Sequence, residues 1–324
     1  MRPLHILTWN THGSYLYYLS QVPHHFHILS RPGRPPGYGG RAPGVAWGPN
    51  VHDMPASHVR HHHFDCIIYQ DDPQYEKDQY ELLGAGQRAL PRIYIEHDPP
   101  RAHPTDMPHL VDDPNVVLVH VSHFNRLMWR TGRSPVRVIE HGVPVPPQVR
   151  YSGSLARGLV VINHLAQRGR RLGADIFAGA AARVPLDLVG MGAEALGGPG
   201  EIAHERLPAV SARYRFLFNP IRYTSMGLAV IESMMVGLPV VALATTEIAT
   251  VIRDGETGFA DTNPDRLVDC MQRLLRDPGL ARELGERGRL YARERFGIGR
   301  FVAEWDALLR EVTGATGPAR PGSG

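Results

Sequence analysis

Apolar residues along the chain come in short blocks, each closed by polar, Gly or Pro residues. Leu4 to Trp9 (LHILTW), Phe26 to Ser30, Phe64 to Gln70 (FDCIIYQ), Arg92 to Glu96 (RIYIE), Asn115 to Val121 (NVVLVHV) and Arg137 to Glu140 read as strands. The stretches between several of them, such as YLYYLSQV, read as helices, and near-continuous apolar strands of this kind belong to parallel sheets covered on both faces. The plan repeats later in the chain. Leu159 to Asn163, Leu186 to Val189, Arg215 to Asn219 and Pro239 to Leu243 are predicted strands, with a fifth at Gly258-Phe259. Ala174 to Ala182, Leu267 to Arg276, Leu280 to Phe296 and Arg300 to Val312 are predicted helices, and QRGRRLG is expected to be a loop. The Pro- and Gly-rich segment RPGRPPGYGGRAPG at 31–44 reads as a long surface loop, of the kind that is often functional or mobile.

The pattern predicts an α/β protein of two Rossmann-like domains facing each other across a cleft, with parallel sheets flanked by helices. The expected organisation is a first domain over 1–148, a second over 149–299, a helix at 300–313 returning to the first, and a disordered tail at 314–324. A chain of 324 residues has the length for two such domains.

Composition narrows the function. The chain is 43% hydrophobic and 21% charged, as for a soluble globular protein, and its net charge of +3 is too small to argue for nucleic acid binding. It does not oppose contact with an anionic membrane surface. Lys77 is the only lysine, so amine chemistry has one candidate, in a loop-like context. Cys66 and Cys270 are read as two buried free thiols of a reducing compartment. Without a signal peptide or a long apolar run, the expected location is the cytoplasm, with peripheral contact at the inner face of the membrane allowed.

The richest stretch is Asn219 to Ala244, NPIRYTSMGLAVIESMMVGLPVVALA. Thr224 and Ser225 have the chemistry of N-caps, which places the start of a helix near Met226; Gly237 and Pro239 end it before a buried strand. A Gly-containing loop entering a helix gathers amide donors and the positive end of the dipole, a setting for a diphosphate against Ser225, Met226, Gly227 and Leu228. Glu232 is the only acid of that helix and is expected to project far enough to hold the vicinal hydroxyls of a ribose.

This string resembles the donor-site signature of retaining GT-B glycosyltransferases, glycosyltransferase family four in particular, whose usual form is E-G-F-G-L-x-x-L-E-A-M-A-x-G-x-P-V-V-A. The ordered succession of His97-Asp98-Pro99, VSHFNRLMW and VRVIEHGVPVP is similar to the same family, and the likeness covers most of the chain from about residue 92 to 310. The resemblance implies that Glu232 holds the nucleotide ribose. Thr224 stands in place of the first glutamate, the one that contacts the transferred sugar. In NHLAQRGRR, His164 and Arg168 stand where the family has an Arg and a Lys on the diphosphate, and a guanidinium grips phosphate oxygens well. His97, with Asp98, matches a residue beside the reacting sugar or the acceptor. His12 has the position of a general base on the acceptor in the inverting branch, and Gly13 that of a close backbone approach to the donor in the retaining branch. Gly190 and Gly192 are expected to let the backbone approach the nucleotide.

The implied activity is metal-independent transfer, with retention, of a sugar from a nucleoside-diphosphate sugar to a hydroxyl of a glycan, lipid-linked or small-molecule acceptor. Neither cofactor nor metal is expected, and the sequence leaves the oligomeric state open. Thr224 makes a non-catalytic nucleotide-sugar-binding subunit the second reading. A GT-B sugar-nucleotide epimerase is the third, and it lacks the several active-site carboxylates that reaction needs. Three other patterns stay decoys: G-M-G-A-E-A imitates a dinucleotide fingerprint without a following helix, Asp71-Asp72 lacks the Asp-x-Asp spacing, and the adjacent His61, His62 and His63, with His58, point different ways and cannot all reach one ion.

Overall fold

The structure is a computed structural model that describes residues 2–144 and 148–315. It divides into two compact units: one runs to Gly142 and resumes at Ile298, the other is Val143–Gly297. The crossings thus fall at 142/143 and 297/298, where the sequence suggested 148/149 and 299/300. The expected disordered tail lies, from residue 316 on, outside the described residues.

The first unit carries strands β1 (His5–Thr8), β2 (His25–Ser30), β3 (Val51–Pro55), β4 (Cys66–Tyr69), β5 (Arg92–Glu96), β6 (Val116–His120) and β7 (Val136–Val138). They form one parallel sheet in the order β3-β2-β1-β4-β5-β6-β7. The order reverses between β1 and β4, the crevice where open α/β sheets bind ligands beyond their C-terminal strand ends. The sheet is dry because its central strands are apolar on both sides: all four residues of β4 are buried. β3 was not expected. The 31–44 segment before it is irregular but anchored, with Tyr38 7% exposed under the Arg31 guanidinium and Asn10 Nδ2 donating to Gly40 O at 2.8 Å.

The Ile298–Thr313 helix completes this unit. It buries Phe301, Trp305, Leu308 and Leu309, and Arg300 Nη2 donates to the carbonyls of Glu140 and His141 at 2.8 and 2.7 Å.

The second unit carries β8 (Leu155–Val161), β9 (Leu186–Val189), β10 (Tyr214–Asn219), β11 (Val240–Leu243) and β12 (Gly258–Asp261), all parallel, in the order β12-β11-β10-β8-β9. Here the switch lies between β8 and β10. Two local expectations fail. QRGRRLG is not a loop but a helical turn, Leu165–Arg168, followed by a 3-10 turn, Gly169–Leu172. Cys270 is only half-buried, whereas Cys66 is buried as expected; both thiols are free. Among the described residues no helix is long and apolar enough to cross a membrane.

Candidate functional site

In the second unit, the two switch-point loops are tied together. The 3-10 turn after β8 offers the Arg171 carbonyl to the amides of Arg222 and Tyr223, at 3.1 and 3.2 Å, in the loop after β10. Arg170 and Arg222 share the Asp175 carboxylate at 2.7 and 2.6 Å, and that hydrogen bonding, chiefly from Arg222, holds Asp175 at about 2. Arg170 is thereby engaged in structure. Arg168 is half-buried on the same turn, and His164, exposed, opens it in the left-handed region at φ 55° with its carbonyl accepting from Arg168 N at 2.9 Å. Arg171, which no local pattern distinguishes from its neighbours, also matters: its Nη1 is buried without a hydrogen-bond partner among the described residues.

The glycines after β9 serve the same scaffold. Gly190 has φ +134°, and a Cβ there would lie 2.6 Å from Ile162 O; Gly192 has φ +71°, with His164 Nδ1 3.1 Å from its Cβ position. Positive φ and packing against the loop after β8 thus already call for glycine at both positions.

The motif helix runs Leu228–Val236, two residues later than expected, and its N-cap is Gly227 with no side-chain cap. Thr224 and Ser225 do not cap it. Ser225 and Met226 are packed inward at 9% and 4% exposure, so the chain reaches the helix axis only at Gly227. The amides of Leu228 and Ala229 precede the first intrahelical bond, and a Cβ on Gly227 would meet nothing within 4 Å. The helix tip therefore has open space over it.

Glu232 does not project freely. It is 8% exposed, and its Oε1 lies 3.0 Å from Nε2 of His204, which precedes the Leu207–Ser211 helix. The hydrogen bond to Glu232 raises the His204 pKa above its ordinary value against the opposing effect of burial. Nothing in the sequence paired these two residues.

In the first unit, His12 and Gly13 stand at the entry to the Gly13–Leu19 helix directly after β1, beside the switch point. His97 follows β5, and its ring lies 4.0 Å from that of His12, centroid to centroid. Tyr15 meets the His97 ring edge-on at 4.7 Å. Burial, then the neighbouring imidazoles of His12 and His141, lowers the His97 pKa far below the ordinary value, and its Nε2 is buried with no partner among the described residues. His12 is lowered by burial as well. Burial thus disfavours the charged form of both imidazoles and leaves each able to donate or accept a hydrogen bond. Asp98 begins no helix: its carboxylate bonds Arg101 and its carbonyl accepts from Trp129 Nε1 at 2.8 Å. Of the decoys, Asp72 is engaged by the Tyr94 hydroxyl at 2.8 Å.

These features define a protein with a GT-B glycosyltransferase fold. Along 98% of this chain and 100% of its own, the solved sucrose-phosphate synthase of Thermosynechococcus elongatus superposes with a TM-score of 0.71 at 18% identity. Anabaena HepE, solved in complex with UDP and glucose, superposes with a TM-score of 0.64 at 13% identity over 95% of this chain and 100% of its own.

Residues 178–277 match the family model Glycosyl transferases group 1. The alpha-D-kanosaminyltransferase of Streptomyces kanamyceticus is 25% identical over 115 residues, which are 35% of this chain and 30% of that protein. The chain spans less than a third of the length of the curated relatives it matches. The family resemblance read from the sequence thus has a counterpart in the comparisons, on the segment that holds β9 to β12 and the motif helix.

Proposed function

We propose that this protein is a glycosyltransferase that moves a sugar from a nucleoside-diphosphate sugar to an acceptor hydroxyl. The observation that carries the reading is the second unit's switch point, where the loop bearing Arg168 is bonded to the loop that leads to the open helix tip at Gly227, and Glu232 lies on the helix that follows. The diphosphate is assigned to the tip amides and the Arg168 guanidinium, which stabilise it as it leaves. The ribose is assigned to Glu232. HepE was solved with UDP and glucose, and the glycosyl transferase family model matches residues of this unit; both support a nucleotide-sugar donor.

His97 and His12 are assigned to the acceptor side. Held neutral by burial, His97 offers Nε2 as a hydrogen-bond partner for a sugar hydroxyl without adding charge. In this reading transfer proceeds with retention and without a metal: the acceptor hydroxyl attacks from the face the diphosphate leaves, while dipole and guanidinium neutralise the leaving group. Glycan, lipid-linked and small-molecule acceptors all have such a hydroxyl. Free thiols at Cys66 and Cys270 fit a reducing cytoplasm.

The test is a melting screen against UDP, GDP, ADP, dTDP and their sugars, followed by nucleoside-diphosphate release with an acceptor panel. A ligand at about 100 times its Kd stabilises by about 2.7 kcal/mol. A rise with one nucleotide, and its release only when an acceptor is present, is expected. No shift with any of them would remove the donor site. A shift without turnover on any acceptor would favour the non-catalytic binding subunit, which the prior engagement of Glu232 by His204 also fits.

A further inference from the structure

The first unit has a second concentration of chemistry at the opposite end of its sheet, where the strands begin. Pairing of β1 with β2 sets His5 beside His25, and pairing of β2 with β3 sets His27 beside His52. Side chains alternate along a strand, so His5, His25, His27 and His52 share one face. Further along that face, towards the strand C-termini, the same positions are Leu7, Leu29 and Met54, all buried. The apolar core gives way to imidazoles at the sheet's N-terminal edge. His62, after the 3-10 turn Val59–His61, joins them from a fourth segment of chain, its ring 4.6 Å from that of His27.

We propose that His5, His27 and His62 bind a divalent transition ion such as zinc. Ring nitrogens of the three lie within 4.8 Å of one another. His5 Nδ1 and His27 Nε2 are 3.0 Å apart. Zinc bonds of about 2.0–2.1 Å place two tetrahedral ligand nitrogens roughly 3.3 Å apart, so this pair already has nearly the spacing required. His27 is fixed: it is 6% exposed and packs against the Phe64 ring at 5.5 Å. His62 is the exposed member and closes the remaining gap by a side-chain movement in solvent.

Three imidazoles suit zinc, copper or nickel rather than magnesium or calcium, which take oxygen ligands. The exposure of His62 leaves the fourth position to water. Neighbours brace the ligands: His25 stacks on His5 at 4.8 Å and lies 3.3 Å from His52, Nδ1 to Nε2, and Asp65 accepts from the His5 amide at 2.8 Å. The bound ion would staple β1, β2 and the segment leading into β4. His12 and His97, at the C-terminal ends of their strands, take no part.

Untagged full-length protein titrated with Co2+ tests this, read by visible absorption, with Zn2+ competition and melting temperature as second readouts. One ion per chain, a d–d band of nitrogen-ligated cobalt and a Zn2+-dependent rise in melting temperature are expected. His62→Ala should weaken binding by about tenfold or more, a loss of about 1.4 kcal/mol, while His61→Ala, on the neighbouring exposed imidazole, should leave it unchanged. Circular dichroism checks that each variant is folded, and His62→Gln replaces His62→Ala if that chain is not. Absence of a saturable one-to-one site, or affinity indifferent to His62 or equally sensitive to His61, would overturn the assignment.

Discussion

Glu232 Oε1 and His204 Nε2 stand 3.0 Å apart, so the carboxylate assigned to the ribose already has a partner before any ligand arrives. A nucleotide must share or displace that partner. Replacing Glu232 with Gln keeps the shape but removes the charge, and nucleoside-diphosphate affinity is expected to fall about tenfold, or about 1.4 kcal/mol, by calorimetric titration.

The same pair has a pH signature. The His204 pKa is raised by Glu232, so its contribution to stability is fully present below the unfolded value of about 6.5 and is lost as pH rises through the folded one. The melting-temperature gap between the native chain and His204→Ala should therefore be larger at low pH and shrink on the alkaline side of 6.5. A gap that widens with pH would contradict the pairing.

Buried neutral histidines act in the opposite sense. Burial, then the neighbours His109 and Arg126, lowers His120 to about 3. Its contribution is present above about pH 6.5 and disappears as pH falls towards 3. Acid unfolding followed by circular dichroism should shift to lower pH in His120→Leu relative to the native chain, if that variant folds.

Gly190 and Gly227 separate scaffold from ligand contact. Gly190→Ala forces a Cβ against Ile162 O at 2.6 Å with φ +134° and should cost about 1–3 kcal/mol in urea denaturation. Gly227→Ala meets open space at φ −75° and should alter stability by less than about 1 kcal/mol. If the helix tip receives the diphosphate, it should nevertheless weaken nucleotide binding.

Arg168→Ala and Arg170→Ala test the loop after β8. Arg170 is committed to Asp175 at 2.7 Å, so its loss is expected to leave donor KM within about twofold. Removal of Arg168 should lower kcat/KM by about tenfold or more, as loss of a guanidinium–phosphate contact does.

Much of the architecture was legible because strong local signals agree with the sheet. Arg92–Glu96 and Leu186–Val189 are strands over the very residues their apolar runs mark. β3 was missed for a physical reason. Val51–Pro55 interleaves His52 and Asp53 with its apolar residues and is an edge strand, paired on one side only, so little of it needs to be hydrophobic. The helix start was misjudged because Thr224 and Ser225 have capping chemistry, but Ser225 and Met226 pack inward before the chain turns. Contacts made by distant segments left no local trace: His204 with Glu232, and the imidazoles of β1, β2 and β3. Runs of adjacent histidines drew attention to His61–His63, whereas strand register, invisible along the chain, assembles His5 with His27.

The Ile298–Thr313 helix supplies Phe301 and Trp305 to a unit whose sheet was translated long before it. During synthesis the opening sheet leaves the ribosome without that cover, while the intervening unit has all of its strands in one uninterrupted stretch. A nascent chain halted before Ile298 should thus hold a protease-resistant second unit beside an easily digested first one.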